Sequence, residues 1–144
     1  MHTPILGPVV ALVIWTLAML VWTLATRIAA TIKGGLVYDP LRPSSEFMEK
    51  IPPRVRWKAD NHNHLHEQPV LFYAIAITLS ILGAGGGIDA MLAWIYVALR
   101  IAHSLVQALV NSLPPRFALF AIASAVLFVL AVRAALILLA GPPA

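Results

Sequence analysis

A stripe of polar side chains crosses one of the apolar segments of this chain. Within residues 90–112, polar positions recur every three or four residues, at Tyr96, Arg100, His103, Ser104, Gln107 and Asn111. This interval places them on one face of a helix. An arginine at the centre of such a face is expensive to bury in lipid. The stripe is therefore expected to face a protein interior or a wet pocket, and it is the first place to look for function.

A second polar cluster lies in residues 60–68 and contains three histidines and two acidic side chains. Helical spacing divides most of the cluster between two faces. One face carries Asp60, Asn63, His64 and Glu67, and the roughly opposite face carries His62 and His66. Two histidines at positions i and i+4 can hold one metal ion from a single helix, with Asp60, Glu67 or His103 as further ligands. A histidine-based metal site is therefore one alternative, beside histidines that only hydrogen-bond at a helix entrance.

Two charges of these clusters are expected to meet. Glu67 lies near the cytoplasmic end of the second apolar helix, and Arg100 lies at a similar depth in the third. Because a helix rises 1.5 Å per residue, their depths differ by only a few ångströms, within reach of an arginine side chain. The sequence therefore predicts a Glu67–Arg100 ion pair with His64 and His103 nearby. Such a pair could also do no more than hold the helices together.

The elements that position these residues are membrane helices. The chain has 144 residues, of which 60% are hydrophobic and 11% charged, and its mean hydropathy is +0.87. These values exclude an ordinary soluble domain. Four apolar runs are long enough to cross a hydrocarbon core of roughly 30 Å. The predicted fold is an all-α, four-helix transmembrane bundle in a single domain of residues 1–144, with helices at about 5–32, 60–83, 90–112 and 116–140 and a loop at about 33–58.

The distribution of charge predicts the orientation. The net charge is +4, and eight of the ten basic residues flank the first–second and third–fourth connections, which the positive-inside rule places in the cytoplasm. The opposite connection, residues 83–89, has no basic residue and is expected on the far side with both termini. The basic balance is therefore interpreted as a topology determinant and not as nucleic-acid binding. Arg133 is expected to snorkel outward or to pair with Asp89.

The residues of the two clusters resemble those of one known family, the membrane-associated proteins in eicosanoid and glutathione metabolism, abbreviated MAPEG. The resemblance covers nearly the whole chain. It is carried by residues 63–73 (NHLHEQPVLFY), by residues 100–104 (RIAHS), and by the long first connection. The separations of 33 residues from Glu67 to Arg100 and of 16 from Arg100 to Arg116 also agree with prostaglandin-synthase-like members. On this basis the chain is identified as a bacterial-type member, which implies the bacterial inner membrane.

The resemblance implies a homotrimer with glutathione bound between neighbouring subunits, and a transferase or peroxidase that acts on lipophilic electrophiles. By position, Arg116 matches the arginine that activates the thiol. The implied glutathione-binding residues are Arg27, Asn63, His64, Glu67, Arg100, His103 and Gln107. No metal ligand is implied.

The chain departs from the family pattern at several anion-binding positions. Gln107 stands where many enzyme members have a tyrosine, Asp60 where they have an arginine, and Ser112 where some have a further arginine. The family's asparagine three residues before the glutamate is His64 here, and Asn63 lies one place earlier. A non-catalytic membrane scaffold or ligand-binding protein of the same fold therefore stays open as the principal alternative to an enzyme.

The expected chemistry needs a thiol that the chain itself cannot supply, because it contains no cysteine. A cation held over a sulfur favours the thiolate, which is the reactive nucleophile. Arg116, directly after Pro114 and Pro115, is the candidate for this role. Its alternative role is that of a topology charge that reaches the headgroups.

Overall fold

The fold is built from helices that follow one another along the chain. The computed structural model describes residues 3–140, and within them no strand occurs. The six helices of this part are α1 (Leu6–Lys33), α2 (Ser44–Glu49), α3 (Pro53–His64), α4 (Gln68–Ile81), α5 (Ile88–Leu109) and α6 (Leu113–Ala140).

Three of these helices are long and apolar enough to cross a membrane: α1, α5 and α6. This confirms a multi-pass integral membrane protein with an all-helical fold. Helix α4 has 14 residues, which corresponds to about 21 Å, so it is too short to cross a hydrocarbon core of roughly 30 Å alone. The expected fourth span therefore depends on α3 and α4 together.

The segment expected as one helix at about 60–83 consists of two. Helix α3 begins already at Pro53 and ends at His64, and α4 begins at Gln68. Pro69 explains the break, because its nitrogen has no hydrogen to donate and its ring would clash with the carbonyl of Leu65. The three intervening residues turn the chain, with φ −93° and ψ −92° at Glu67.

Helix α5 is the central helix, in contact with α1, α3 and α6. The sixth residue of the predicted polar stripe, Asn111, is half-buried and lies beyond the end of this helix. The other five face the protein interior, as expected, because each is at most 6% exposed. They are Tyr96, Arg100, His103, Ser104 and Gln107. Tyr96 stacks on Phe72 of α4, with ring centroids 4.5 Å apart. The polar residues of the stripe are therefore held within a packed bundle.

The contact between α5 and α6 is the most extensive in the fold. Helix α6 buries Ala123, Leu127, Leu130 and Ala134, which lie on one face. The two alanines let the helix backbones approach closely, as small residues do in membrane bundles. Large apolar side chains such as Val132 and Leu136 are exposed on the other side of α6, as is expected of a lipid-facing surface.

The end of the bundle at the turn between α4 and α5 is closed by an ion pair and by the turn itself. Arg133 donates two hydrogen bonds to the carboxylate of Asp89, which is 3% exposed. Of the two expectations for Arg133, the pair with Asp89 is confirmed. The backbone nitrogen of Ile5 donates to the carbonyl of Gly85 at 3.0 Å. Gly85 has φ +100°, and a Cβ there would lie 2.7 Å from Ile5 Cγ2, so the turn requires glycine.

The long first connection is partly ordered by side chains. It contains α2, and Ile51 at its end is only 1% exposed. Tyr38 and Phe47 pack edge to face, with ring centroids 5.6 Å apart. Arg27 of α1 donates to the Met48 sulfur. These contacts hold the connection against the end of α1.

Candidate functional site

A cavity of about 500 Å³ lies between the α3–α4 break, α5 and the beginning of α6. We call it the arginine cleft. Its polar wall consists of His64, Glu67, Gln68, Arg100, His103 and Arg116. Its apolar wall consists of Leu71, Leu113, Phe117 and Phe120. The cleft can therefore hold a ligand that has both an anionic part and an apolar part.

Arg100 is 2% exposed and is held by neutral oxygen atoms. Its Nη2 donates to the carbonyl of His64 at 2.9 Å, and its Nη1 donates to Gln68 Oε1 at 3.4 Å. Its Nε has no hydrogen-bond partner among the described residues. Because neutral partners leave the positive charge uncompensated, an anionic ligand in the cleft would be stabilised by it.

The helix break supplies the main partner of Arg100. In a continuous helix, the His64 carbonyl would accept the backbone N–H of Gln68. Here the same carbonyl receives only a long backbone bond of 3.4 Å from Glu67, which leaves it available to Arg100. Freed backbone carbonyls at a helix break in a membrane need such a substitute donor. The position of Pro69 thus determines where Arg100 is anchored.

The predicted Glu67–Arg100 ion pair is wrong. The Glu67 carboxylate instead lies 2.8 Å from His64 Nδ1, and its side chain is 65% exposed. The prediction assumed that the helix continues through residues 65–67. Because the chain turns there, the Glu67 carboxylate contacts His64, and Arg100 binds the His64 carbonyl and the Gln68 side chain instead.

Gln68 connects the two sides of the cleft, and sequence reasoning did not identify it. Its Nε2 donates to Ser124 Oγ of α6 at 2.6 Å. Its Oε1 accepts from the Tyr96 hydroxyl and from Arg100, each at 3.4 Å. The one signal in the sequence was a polar residue directly before Pro69, at the beginning of an apolar run.

Arg116 is the second arginine of the cleft. Its Nη1 donates to Asn111 Oδ1, and its Nε is buried without a partner among the described residues. Asn111 has φ +55°, a left-handed conformation that asparagine tolerates better than most residues. This turn between α5 and α6 places the Asn111 amide against the guanidinium. In the part of the chain that the structure describes, no carboxylate forms a salt bridge with either cleft arginine.

His103 completes the polar wall, one turn from Arg100. It is 6% exposed, and its ring centroid lies 6.4 Å from that of Phe120. Ser104, the next residue, accepts a hydrogen bond from the Asn61 side chain at 2.6 Å. This bond joins α3 to α5. Asn61 is fully buried, and it too was missed as a positioning residue, although it belongs to the second polar cluster.

A smaller pocket of about 310 Å³ adjoins the cleft, and we call it the Asp60 pocket. It shares His64, Glu67 and Arg116 with the cleft. Its other lining residues are Asp60, Asn63, Gln107 and Asn111. The expected common face of Asp60, Asn63, His64 and Glu67 is therefore present despite the break.

The cleft and the Asp60 pocket together bring seven of the eight predicted site residues into one region. The eighth, Arg27, lies elsewhere. It lines a separate groove on α1 with Leu24, Ile28, Thr31 and Ile32. Within one chain, Arg27 therefore does not contribute to the arginine cleft.

The histidines of the opposite face do not gather a metal-ligand set. The rings of His62 and His66 pack edge to face with centroids 4.5 Å apart, and His66 Nδ1 donates to the His62 carbonyl at 2.9 Å. Residues 3–140 contain no group of three histidine, cysteine or acidic side chains placed to bind a metal ion. The geometry therefore favours a packing role for the pair.

Comparison with known proteins gives one positive result. The model of the MAPEG family matches residues 5–136, which is nearly the whole chain and includes every residue of the cleft and of the Asp60 pocket. No curated protein and no solved structure gives a significant match.

Proposed function

Because the chain belongs to the MAPEG family, whose members act in glutathione and eicosanoid metabolism, we propose that it is an integral membrane transferase or peroxidase that uses glutathione. Its substrates are lipophilic electrophiles or lipid hydroperoxides. The arginine cleft is the active site of this proposal, and Arg116 is its catalytic residue.

One observation carries the proposal: two arginines that have no carboxylate partner within residues 3–140 line one cavity that also has an aromatic wall. Arg100 is anchored to a carbonyl and an amide, and Arg116 to an amide. Neither bond cancels the charge. A thiol placed between them would have its pKa lowered, because both guanidinium groups favour the thiolate. The cleft thus has the electrostatics that thiol activation needs.

The remaining cleft residues have distinct roles in this proposal. Gln68 positions Arg100, and His103 contacts the bound glutathione beside it. Phe117 and Phe120 present an apolar surface to the electrophile. An adjoining groove of about 410 Å³ runs between α4 and α6 and is lined mainly by apolar side chains such as Ile75 and Phe128. A lipophilic substrate would enter from the bilayer along this groove.

We extend the proposal to a homotrimer with four spans per subunit, in which α3 and α4 cross the membrane in series. Arg27 supports this assembly. It lies in a groove away from the cleft of its own chain, so it can contact glutathione only at the site of a neighbouring subunit. The long first connection is cytoplasmic, both termini lie on the opposite side, and the membrane is the bacterial inner membrane.

A non-catalytic ligand-binding protein is the second candidate, and one observation favours it. The Asp60 pocket places two carboxylates beside the cleft, and these would oppose a ligand with two carboxylates of its own. Thiolate formation and turnover separate the two candidates, because a non-catalytic ligand-binding protein needs neither.

The test is to measure thiolate formation and turnover in detergent-purified protein. Formation of the glutathione thiolate is followed by ultraviolet absorbance, and turnover with a lipophilic aryl halide and a fatty-acid hydroperoxide. Arg116→Gln is expected to lower kcat by about 10²–10³, as removal of a charge-stabilising donor does. Arg116→Lys is expected to restore part of the rate, because lysine keeps the charge but not the planar donor geometry.

The matched control is Arg54→Gln, which removes an exposed basic charge outside the cleft and should leave kcat unchanged. Full activity of Arg116→Gln would contradict the catalytic role of Arg116. Glutathione binding without a thiolate and without turnover would favour the ligand-binding protein, and no binding would contradict the use of glutathione.

A further inference from the structure

His64 and Glu67 form a hydrogen-bonded pair at the break between α3 and α4. The Glu67 carboxylate lies 2.8 Å from His64 Nδ1. Because an ionised carboxylate can only accept, Nδ1 carries the hydrogen, and Nε2 is the ring nitrogen left to take a proton from a ligand. The His64 side chain is 42% exposed and that of Glu67 65%. A pair as exposed as this adds little to stability, so it is not needed to hold the helices together.

The pair borders the space in which the proposed chemistry takes place. Both residues line the arginine cleft and the Asp60 pocket. The other charged or titratable side chains that line these two spaces are Asp60, Arg100, His103 and Arg116. An arginine keeps its proton in a protein, so neither guanidinium can deliver one to a substrate.

His103 is the other imidazole of the cleft, and it lacks the partner that His64 has. None of the salt bridges within residues 3–140 includes His103. A proton gained by His103 would add a positive charge one turn from Arg100 without a carboxylate beside it. At His64 the Glu67 carboxylate offsets that charge. His64 is therefore the residue of the cleft that is suited to carry a proton.

We propose that the His64–Glu67 pair delivers a proton to the leaving oxygen of the electrophile, which makes hydroperoxides the preferred substrates of this site. This inference rests on the proposed function, because it assigns one substrate class to the thiolate formed in the arginine cleft. His64 is the catalytic residue of the pair. Glu67 is the positioning residue that holds the ring and its tautomer.

Proton transfer through His64 completes the reduction of a hydroperoxide by glutathione. Nε2 takes the proton of the thiol, and the sulfur attacks the terminal oxygen of the hydroperoxide. A sulfur–oxygen bond forms, and the oxygen–oxygen bond breaks with its electron pair on the alkoxide, which takes the proton from Nε2. The products are an alcohol and the sulfenic acid of glutathione, so the peroxide is reduced and the sulfur is oxidised. A second glutathione converts the sulfenic acid to glutathione disulfide and water.

The test compares a fatty-acid hydroperoxide with an aryl halide in the detergent-purified full-length protein. A halide ion is a weak base and leaves without a proton, whereas an alkoxide is a strong base and needs one. The kcat/KM for each electrophile is measured at saturating glutathione. His64→Gln is expected to lower the ratio of hydroperoxide to aryl halide by about 10²-fold, the lower end of what general acid catalysis contributes. The backbone carbonyl that binds Arg100 is retained in this variant.

Glu67→Gln tests whether the two residues act together. It is expected to lower the ratio as well, because an amide can donate to Nδ1 and so favour the other tautomer. The double variant is expected to lower the ratio no further than His64→Gln alone. The matched control is His66→Gln, at an exposed histidine of the same polar cluster that lines neither space. It should keep the wild-type ratio.

The outcomes separate this inference from the function on which it rests. A wild-type ratio in His64→Gln, or an equal fall in His66→Gln, would overturn proton delivery by His64 and leave the glutathione-dependent function standing. A wild-type protein that turns over the aryl halide but not the hydroperoxide would do the same. A wild-type ratio in Glu67→Gln, or a further loss in the double variant, would overturn the positioning role of Glu67. Turnover of neither electrophile would overturn both the inference and the proposed function.

Discussion

Arg100 and Arg133 both lie well inside membrane-spanning helices, and the chain compensates their charges in different ways. Arg133 binds the Asp89 carboxylate, whereas Arg100 binds the His64 carbonyl and the Gln68 amide. Charge in the membrane is costly unless it is paired or solvated. The first arrangement neutralises Arg133 and joins α5 to α6. The second keeps the charge of Arg100 available to a ligand, so only Arg100 has the properties of a binding residue.

At the residue scale, we expect Asp89→Asn to destabilise the protein by about 2 kcal/mol, because it removes the carboxylate from a partly buried, charge-assisted pair. The measurement is the unfolding free energy in detergent. The control is Asp39→Asn, at the exposed Asp39–Arg42 pair, where the expected loss is below about 1 kcal/mol. Equal losses in the two variants would contradict a structural role for the buried pair.

At the scale of elements, the break between α3 and α4 has a function that regular helices could not provide. It pairs the Glu67 carboxylate with His64 and leaves the His64 carbonyl free to accept from the Arg100 guanidinium. It also places Gln68 at the first position of α4, within hydrogen-bonding distance of Ser124 on α6. One proline thus arranges several side chains of the cleft at once.

We expect Pro69→Ala to let α3 and α4 join, because alanine restores the missing N–H and removes the ring clash. The Gln68 N–H would then take the His64 carbonyl, and Arg100 would lose its closest partner. Glutathione affinity, measured by calorimetry, should fall about tenfold, while the thermal midpoint does not fall.

The control for this prediction is Pro43→Ala. Pro43 precedes α2, outside the cleft, so affinity should stay at the wild-type value. Wild-type affinity in Pro69→Ala as well would show that the break does not position Arg100.

At the scale of the whole molecule, the number of membrane crossings depends on α3 and α4. Helices α1, α5 and α6 are each long enough to cross. If only these three crossed, the two ends of the chain would lie on opposite sides. With α3 and α4 as a fourth span, both ends lie on the same side, as proposed.

Single-cysteine variants test this arrangement, because the chain has no cysteine of its own. The variants are Ser45→Cys in the first connection, Gly86→Cys in the turn before α5, and Ala140→Cys at the end of α6. A membrane-impermeant maleimide added to sealed vesicles should label Ser45→Cys from the cytoplasmic side, and the other two from the opposite side. The positive-inside rule and four crossings require this pattern.

Labelling of Gly86→Cys from the same side as Ser45→Cys would contradict the fourth span.

Light scattering on the purified protein tests the trimer, because the protein mass should be three times the chain mass of 15.5 kDa.

The sequence by itself determined the membrane class and most of the polar residues that gather at the cleft and the Asp60 pocket. Hydropathy identifies long apolar segments because lipid imposes a minimum length, and helical periodicity identifies the buried stripe of α5 because its interval follows from helix geometry. The Asp89–Arg133 pair was also among the expectations, since both charges lie near the same end of the bundle. Hydropathy and periodicity each concern a single helix, and the Asp89–Arg133 pair requires only that the two residues lie at a similar depth in the membrane. None of these inferences needs to know which helices are neighbours.

Only the tertiary structure decided how the cleft residues are connected. Periodicity gives the face of a helix but not the neighbour that this face meets, so the positioning roles of Asn61 and Gln68 were not foreseen. The Glu67–Arg100 prediction failed because the three residues before Gln68 leave the helix, and the Glu67 carboxylate contacts His64 instead. Arg27 was expected at the site from family resemblance, yet it lies in a separate groove of its own chain. Partner choice depends on the relative rotation of packed helices, which no spacing within the sequence specifies.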